Sequence, residues 1–210
     1  MMQETPEKWV ATYEAQTAEE LVEAYRCWAS EYDTDCCDGM GYVGPKVAAG
    51  LLDHYLNKPT ARILDAGCGT GLVGEVMNKM GYQRLEAMDF SRDMLREAEQ
   101  KDVYDNVFHA DMNRRLRLAD NSYDAIICVG TFTYAHVGPE AFDELVRITR
   151  PGGYICFTIR DGAYQEYGYR RRMLDLEANK AFELKQMVDT DYLRKEDVSA
   201  KYCIYEVQNA

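Results

Sequence analysis

The chain has 210 residues, of which 47% are hydrophobic, and its formal net charge is −12. This length and apolar content suit a single domain with a sizeable core and exclude intrinsic disorder. An acidic chain is a poor partner for nucleic acid, whose phosphates attract clustered Lys and Arg. No apolar run reaches the length of a membrane span. We therefore expect neither a nucleic-acid nor a membrane partner.

The seven cysteines include no C-x-x-C pair, which argues against a zinc site, and we expect no metal. Their odd number, together with a polar N-terminus that has no signal-peptide core, fits a reducing compartment. We therefore predict a cytoplasmic protein.

Taken in chain order, the patterns predict a weakly ordered start, a helix at 18–37 and a second helix from about Pro45 to Leu56. Strands and helices then alternate. Strands are predicted at 61–66, 84–89, 105–109, 123–129 and 153–159, and helices at 70–80, 91–101, 138–149 and 164–180. Pro139 is predicted in the first turn of the 138–149 helix, which "RPGG" ends. "FELKQMV" and "KYCIYEVQ" predict a closing hairpin.

The strands "ARILDA", "YDAIICVG" and "GYICFTI" are almost continuously apolar. Strands buried on both faces of a parallel sheet have this character. Alternation of such strands with helices predicts a doubly wound α/β fold with right-handed crossovers. Ligands in these folds lie beyond the carboxyl ends of the strands, where the strand order reverses.

The stretch "ILDAGCGTGLVGEV", residues 63–76, joins the first strand to a helix through a glycine-rich turn. Gly69, Gly71 and Gly74 have the spacing of a dinucleotide site. Asp65, Gly67, Gly69 and Gly71 have the D-x-G-x-G-x-G spacing of an S-adenosylmethionine site. The helix N-terminus directs free N–H groups at either ligand.

Two carboxylates, Asp65 and Asp111, separate the two ligands, as does the lack of a dehydrogenase catalytic pattern such as Tyr-x-x-x-Lys, whereas a third carboxylate serves both. Asp89 ends the second strand, 20 residues after Gly69, where an acid holds ribose hydroxyls in either case; the alternative is a charge at a helix N-terminus. Asp65 would repel a pyrophosphate but suits a ligand with an ammonium and a sulfonium. Asp111 can accept a hydrogen bond from an adenine amino group, with Met112 on the ring; the alternative is an ordinary loop aspartate. S-adenosylmethionine is favoured, and an NAD-dependent oxidoreductase stays as an alternative.

The ordered motifs "ILDAGCGTG", "AMDFS", "HADM", "YDAIICVG" and "ITRPGGYICFTIR" resemble class I S-adenosylmethionine-dependent methyltransferases. "YRCWASEYDTDCCDGMGYVGPKVAAGLL" and "GTFTYAHVGPEAFDEL" resemble, more closely, the methyltransferase-like family named for the Williams–Beuren syndrome chromosome region. The resemblance implies a Rossmann-like fold with a seven-stranded, mostly parallel sheet, helices on both faces and a C-terminal antiparallel hairpin. It implies a single domain, in which residues 1–60 form an integral helical lid and residues 61–210 form the cofactor-binding core.

The resemblance also assigns the cofactor contacts. Asp65, Gly67 and Gly71 line the amino-acid end, Asp89 holds the ribose, and Asp111 and Met112 contact adenine. Val129 and Gly130 lie beside the sulfonium, and Tyr25, Trp28 and Tyr32 close over the cofactor, unless these aromatic residues serve only in packing. Gly69 and Phe90 complete the predicted cofactor site.

The implied function is methyl transfer from S-adenosylmethionine to an N, O or S atom of a small-molecule acceptor, with S-adenosylhomocysteine as the product. His136 is the candidate general base, because imidazole exchanges protons near neutral pH; the alternative is a histidine near a helix N-terminus without a chemical role. Thr131, Tyr134 and Arg160 are the candidate substrate contacts, and Tyr134 replaces a histidine of the family's run. A non-catalytic module that binds the cofactor or a partner is the alternative function.

Overall fold

The computed structural model describes residues 7–15, 17–133 and 137–208. Its helices are α1 (Glu7–Glu14), α2 (Ala18–Trp28), α3 (Gly44–Leu56), α4 (Leu72–Lys79), α5 (Arg92–Gln100), α6 (Ala141–Ile148), α7 (Asp161–Glu166) and α8 (Tyr169–Ala178). Its strands are β1 (Arg62–Ala66), β2 (Arg84–Asp89), β3 (Asn106–His109), β4 (Tyr123–Phe132), β5 (Thr149–Arg160), β6 (Phe182–Leu193) and β7 (Val198–Val207). A π-helix spans Thr34–Gly39 and a 3-10 helix spans Arg194–Glu196.

The seven strands form one sheet in the order β3-β2-β1-β4-β5-β7-β6. Strands β1 to β5 run parallel, whereas β7 pairs antiparallel with both β5 and β6. The predicted seven-stranded Rossmann-like sheet and its closing hairpin are therefore confirmed. The strand order reverses between β1 and β4, and this reversal creates the crevice in which such folds bind ligands.

Hydrophobic clusters cover both faces of the sheet. Ile63 and Ile127 lie in the cluster to which α3 and α4 contribute. Leu64 and Ile126, one residue along each strand, lie in the cluster to which α6 and α8 contribute. Successive side chains of a strand point to opposite faces, so both faces of β1 and β4 are buried. This is why the two strands are almost continuously apolar in sequence.

Two predicted helices differ from the structure. The helix predicted at 18–37 begins behind a Thr17 capping box but ends at Trp28, and a turn then leads into the π-helix. The Trp28 indole N–H donates to Asp35 Oδ2 over 2.8 Å, so tertiary contacts fold the segment back. The helix predicted at 164–180 is two helices, because Gly168 adopts a left-handed conformation with φ +77°.

Three other boundaries also differ. Pro139 lies in the turn before α6 and not in its first turn. Strand β5 begins at Thr149, which follows α6 directly and pairs with Tyr123, so "RPGG" lies inside the strand and is not what ends the helix. The start predicted to be weakly ordered contains α1, which packs against α2. A helix this short depends on tertiary packing, which its own sequence does not display.

Within the described residues, no helix is both long enough and apolar enough to cross a bilayer.

Candidate active site

A cavity of about 290 Å³ lies at the carboxyl ends of the parallel strands. Its walls come from α2, the loop after β1 and the ends of β2, β3 and β4, as expected at the reversal of strand order. Eleven predicted site residues line it: Tyr25, Tyr32, Gly67, Gly69, Asp89, Phe90, Asp111, Met112, Val129, Gly130 and Thr131. The fold thus brings together residues that are as much as 106 positions apart, from Tyr25 to Thr131.

Six predicted site residues are not among those lining residues. Trp28 lines a smaller neighbouring cavity, and Gly71 begins α4 with φ +91°. Asp65 is buried behind the glycine loop at 3% exposure. The Arg160 guanidinium lies 5.9 Å from the centre of the Tyr192 ring. Tyr134 and His136 fall outside the described residues.

Met88 and Asp89 at the end of β2 fix the glycine loop. The N–H groups of Gly67 and Cys68 both donate to the Met88 carbonyl, and Gly69 N–H donates to Asp89 Oδ2 over 2.9 Å. Gly67 adopts φ +76°, and a Cβ at this position would collide with Thr131 Oγ1. Glycine is therefore required here both for its conformation and for space. The loop backbone can lie against a ligand as a result.

Asp89 is held in one orientation by the backbone. Its Oδ1 accepts from Ser91 N–H over 2.8 Å, while Oδ2 accepts from Gly69 N–H. Burial raises the pKa of this carboxyl above its usual range, and the backbone donors oppose that rise. A carboxylate has about four lone-pair sites, so Asp89 keeps some acceptor capacity for a ligand hydroxyl beside its backbone donors Ser91, Gly69 and Phe90.

Asp65 carries the one buried side-chain oxygen or nitrogen that has no hydrogen-bond partner in the described part of the chain, its Oδ1. The other oxygen, Oδ2, accepts from the Tyr104 hydroxyl over 2.5 Å. Burial raises the Asp65 pKa to about 7, and the nearby Asp89 charge adds to the rise. An unpaired acid beside the loop suits a cationic group, which would lower this pKa.

At the other end of the cavity, Asp111 shapes the turn after β3. Its Oδ1 accepts from Asn113 N–H over 2.9 Å, and its Oδ2 lies 3.2 Å from the Arg114 guanidinium. Met112 is buried at 8% exposure and lines the cavity beside it. The cavity therefore offers an apolar surface next to a carboxylate, which suits a flat ring that carries an amino group.

Tyr104 is a site residue that no sequence pattern indicates. Its hydroxyl donates to Asp65 and accepts from Gly74 N–H over 3.1 Å. A Cβ on Gly74 would overlap the Tyr104 ring. The third glycine of the dinucleotide-like spacing thus makes room for this tyrosine. Only the S-adenosylmethionine spacing has all its glycines in the loop itself.

Gly74→Ala is expected to destabilise the protein by about 1–3 kcal/mol, the usual cost of overpacking a filled site. The free energy of unfolding from urea denaturation measures this. Gly50→Ala is the matched control, because it lies in α3 with nothing within 4 Å of the added Cβ. The control should be neutral or stabilise the protein by up to about 1 kcal/mol. Equal effects at both positions would mean that the Tyr104 ring does not fill the space beside Gly74.

Asp33, which follows α2, ties the N-terminal segment to the glycine loop. Its Oδ1 accepts from the Thr70 hydroxyl over 2.5 Å, and its Oδ2 lies 2.6 Å from Lys101 Nζ. Lys101 also contacts Glu75 of α4 over 2.7 Å. These contacts join the turn after α2 to the glycine loop, and Tyr25 and Tyr32 of the same N-terminal segment line the cavity. No sequence pattern indicates Asp33 or Lys101, because Asp33 lies 37 residues from Thr70 and 68 residues from Lys101.

The residues around the cavity fit S-adenosylmethionine. The remaining lone pairs of Asp89 suit its ribose, and Asp111 with Met112 suits its adenine. Asp65 is not on the cavity wall, but its Oδ1, buried without a hydrogen-bond partner behind the loop, provides a negative charge for the ammonium. The Gly67 backbone makes the close approach that a larger side chain would block.

Comparison with known proteins agrees with this fit. Residues 64–157 match the family model described as "Methyltransferase domain". The chain is 33% identical to Methyltransferase-like protein 27 of Homo sapiens, over 65% of this chain and 56% of that protein. It is 34% identical to the malonyl-[acyl-carrier protein] O-methyltransferase of Buchnera aphidicola, over 74% of this chain and 60% of that protein. The chain thus spans less than two thirds of either relative.

Among solved structures, the TehB-like SAM-dependent methyltransferase from Corynebacterium glutamicum superimposes with a TM-score of 0.64 at 18% identity. The superposition covers 89% of this chain and 99% of that one. Residues 64–157 therefore match the methyltransferase-domain family, and the chain has the fold of the class I S-adenosylmethionine-dependent methyltransferases.

Proposed function

We propose that the protein transfers a methyl group from S-adenosylmethionine to an N, O or S atom of a small molecule. The orientation of Asp89 carries this proposal most directly. Its carboxylate is fixed to the glycine loop by Gly69 N–H and to α5 by Ser91 N–H, with its side chain on the cavity wall. That arrangement holds both carboxylate oxygens of Asp89 in fixed positions, from which they can accept from ribose hydroxyls.

The proposed cofactor contacts are those predicted from the sequence, and most of these residues line the cavity. Asp65, Gly67, Gly69 and Gly71 serve the amino-acid end, Asp89 and Phe90 the ribose, Asp111 and Met112 the adenine, and Val129 and Gly130 the reacting methyl. Tyr25, Trp28 and Tyr32 close the site as part of an N-terminal lid, residues 1–60, which belongs to one domain with the core at 61–210. The contacts of Asp33 with Thr70 and Lys101 support that single-domain organisation.

When bound, S-adenosylmethionine supplies a methyl group on a cationic sulfur. The protein's task is to place the acceptor in line with that methyl and to exclude water, and orientation alone can lower the barrier by about 7–11 kcal/mol. Thr131, Tyr134 and Arg160 are proposed to contact the acceptor. His136 is proposed to remove its proton. The Tyr169 hydroxyl lies 3.2 Å from the Thr133 carbonyl and 2.5 Å from the Val137 carbonyl, the two described residues on either side of positions 134–136.

The wider assignment rests on the relatives. Methyltransferase-like protein 27 supports membership of the Williams–Beuren region methyltransferase-like family. The relative from Buchnera aphidicola is named as an O-methyltransferase of malonyl-[acyl-carrier protein]. That name supports a small acyl group as the methylated part of an acceptor, in place of nucleic acid or a membrane lipid. The seven cysteines are all unpaired, which supports a cytoplasmic location.

A fold does not fix an activity, so two alternatives need a test. A module that binds the cofactor without transferring a methyl would keep the whole cavity. An NAD-dependent oxidoreductase is disfavoured for two reasons. Asp65, whose Oδ1 has no hydrogen-bond partner, lies behind the loop that would hold a pyrophosphate. Gly74, the third glycine of the dinucleotide spacing, makes room for the Tyr104 ring and not for a ligand.

Calorimetric titration with S-adenosylhomocysteine and with NAD tests the cofactor. We expect saturable, one-site binding of S-adenosylhomocysteine and no heat from NAD. Transfer of the labelled methyl of S-adenosylmethionine to a metabolite library then tests the enzyme. Heat from NAD alone would refute the proposed cofactor. Cofactor binding without transfer to any acceptor would favour the non-catalytic module.

A further inference from the structure

A second cavity, of about 40 Å³, adjoins the first at Gly130. The two cavities share Tyr25, Tyr32, Tyr42 and Gly130 as lining residues. Gly130 lies near the end of β4, where the reacting methyl is proposed to lie. The space holds about three water-sized groups, at roughly 10–15 Å³ each. It therefore accommodates the reacting end of a molecule, and we call it the aromatic chamber.

The chamber is lined mainly by aromatic rings and by no charged side chain among the described residues. The six aromatic residues are Trp9, Tyr25, Trp28, Tyr32, Tyr42 and Tyr192. The rest of the lining consists of Gly130 and small polar or apolar side chains from α1, the π-helix and the ends of β4 and β6. An ion placed there would meet aromatic rings and hydroxyls, but no charged side chain of the described residues.

Two tyrosine hydroxyls mark the junction of the two cavities. Tyr42 and Tyr192 come from opposite ends of the chain, yet their hydroxyl oxygens lie 3.1 Å apart. A Cβ on Gly130 would lie 2.8 Å from the Tyr192 hydroxyl and 3.0 Å from that of Tyr42. Burial raises the pKa of Tyr42 well above its usual value, so this hydroxyl stays neutral and offers lone pairs. Both hydroxyls thus meet over the glycine closest to the proposed methyl position.

We propose that the aromatic chamber receives the methyl acceptor and that this acceptor is an amine. The inference rests on the proposed function, which it narrows from N, O or S to nitrogen. The ring faces carry negative electrostatic potential and attract an alkylammonium product. The Tyr42 and Tyr192 hydroxyl oxygens accept the N–H groups of the amine, which leaves its lone pair free to face the methyl.

The surroundings favour a cation over an anion. The Trp28 indole N–H donates to the Asp35 carboxylate, which increases the electron density of that ring. The overall charge of −12 raises the local concentration of cationic molecules and repels anionic ones. A carboxylate in the chamber would be buried without a partner charge, which is costly. Arg160 lies 5.9 Å from the Tyr192 ring centre, but it is not a lining residue.

The transfer balances without a further reactant. The lone pair of the neutral amine forms the N–C bond while the S–C bond breaks, and the sulfur keeps the electron pair of the broken bond. The positive charge moves from sulfur to nitrogen, where the rings of the chamber surround it. An amine that arrives as an ammonium ion first loses one proton, the step for which His136 is proposed, and then reacts in its neutral form. The methylated nitrogen keeps the positive charge and leaves as the alkylammonium product.

The fluorescence of the two tryptophans tests the inference directly, because both Trp9 and Trp28 line the chamber and the chain has no others. Protein saturated with S-adenosylhomocysteine is titrated with methylammonium chloride, sodium acetate, isopropanol and sodium chloride. We expect a saturable change with methylammonium and none with the other three. Saturation by acetate or by isopropanol, or no response to methylammonium, would overturn the inference.

Tyr192 variants locate the response, since Tyr192 lines the chamber and not the larger cavity. Tyr192→Phe keeps the ring and should retain methylammonium binding within about threefold. Tyr192→Leu removes the ring and should weaken it by about threefold to tenfold, the range for one cation–π contact. Tyr167→Leu, at an exposed tyrosine outside both cavities, should leave it unchanged.

Binding of S-adenosylhomocysteine is measured separately for every variant by calorimetry. An affinity equal to that of the parent protein shows that the variant is folded and that the proposed cofactor site is intact. If the cofactor product does not bind the parent protein, the proposed function fails. If it binds but only acetate saturates the tryptophan signal, the amine inference fails alone. Methyl transfer to a panel of primary amines, but not to malonyl thioesters, is the corresponding result in turnover.

Discussion

Asp89→Ala is expected to weaken the binding of S-adenosylhomocysteine by about tenfold to 150-fold. Charge-assisted hydrogen bonds to ribose hydroxyls contribute about 1.5–3 kcal/mol, and 1.4 kcal/mol corresponds to a factor of ten. The substitution also removes the acceptor that Gly69 N–H and Ser91 N–H share, so the loop keeps only its bonds to the Met88 carbonyl of β2. Both losses reduce affinity in the same direction. Calorimetric titration of parent and variant measures the change.

Two controls separate ribose binding from a general loss of charge or structure. Asp89→Asn keeps one carbonyl oxygen and most of the shape, so we expect an intermediate loss. Glu99→Gln removes a negative charge from the exposed surface of α5 and should leave the affinity unchanged. Thermal unfolding of each variant without ligand reports damage to the loop. Parent-like affinity of Asp89→Ala would mean that the ribose lies elsewhere in the cavity.

The sequence indicates the sheet well, because β1, β4 and the second half of β5 are largely buried and hence almost continuously apolar. It indicates element ends less well. Helix α2 ends at Trp28, whose indole N–H donates to Asp35, and this hydrogen bond exists only because the chain folds back after the helix. Gly168 is an exception that local chemistry could have revealed, since a glycine between two helical patterns favours a left-handed break.

The sequence indicates some residues of the candidate site but not others. Gly67, Asp89 and Asp111 follow strand ends at regular spacing, and the fold carries all three to one cavity. Their contacts with a cofactor stay predictions. Tyr104, Asp33 and Tyr192 belong to no binding motif, and each meets its partner across at least 37 residues. Such pairs exist only once the sheet has formed, so no local pattern announces them.

The affinity for S-adenosylhomocysteine is expected to rise with pH through the acidic range and to level off above about pH 7. Burial raises the pKa of Asp65 to about 7 without a ligand, so half of the molecules carry a neutral Asp65 at that pH. The ammonium of the ligand stabilises the carboxylate and lowers this pKa in the complex. Binding below pH 7 therefore releases a proton and weakens by up to tenfold for each unit of pH.

Asp65→Asn provides the control for this pH dependence. Asparagine cannot ionise, so the variant should lose the Asp65 part of the slope between pH 5.5 and 7, although Asp89, whose pKa is also raised, keeps its own part. Calorimetry at pH 6 in two buffers of different ionisation enthalpy counts the protons released, and the variant should release fewer than the parent. Equal proton release from both proteins would contradict the prediction. It would mean that the ligand's ammonium lies too far from Asp65, behind the glycine loop, to change its ionisation.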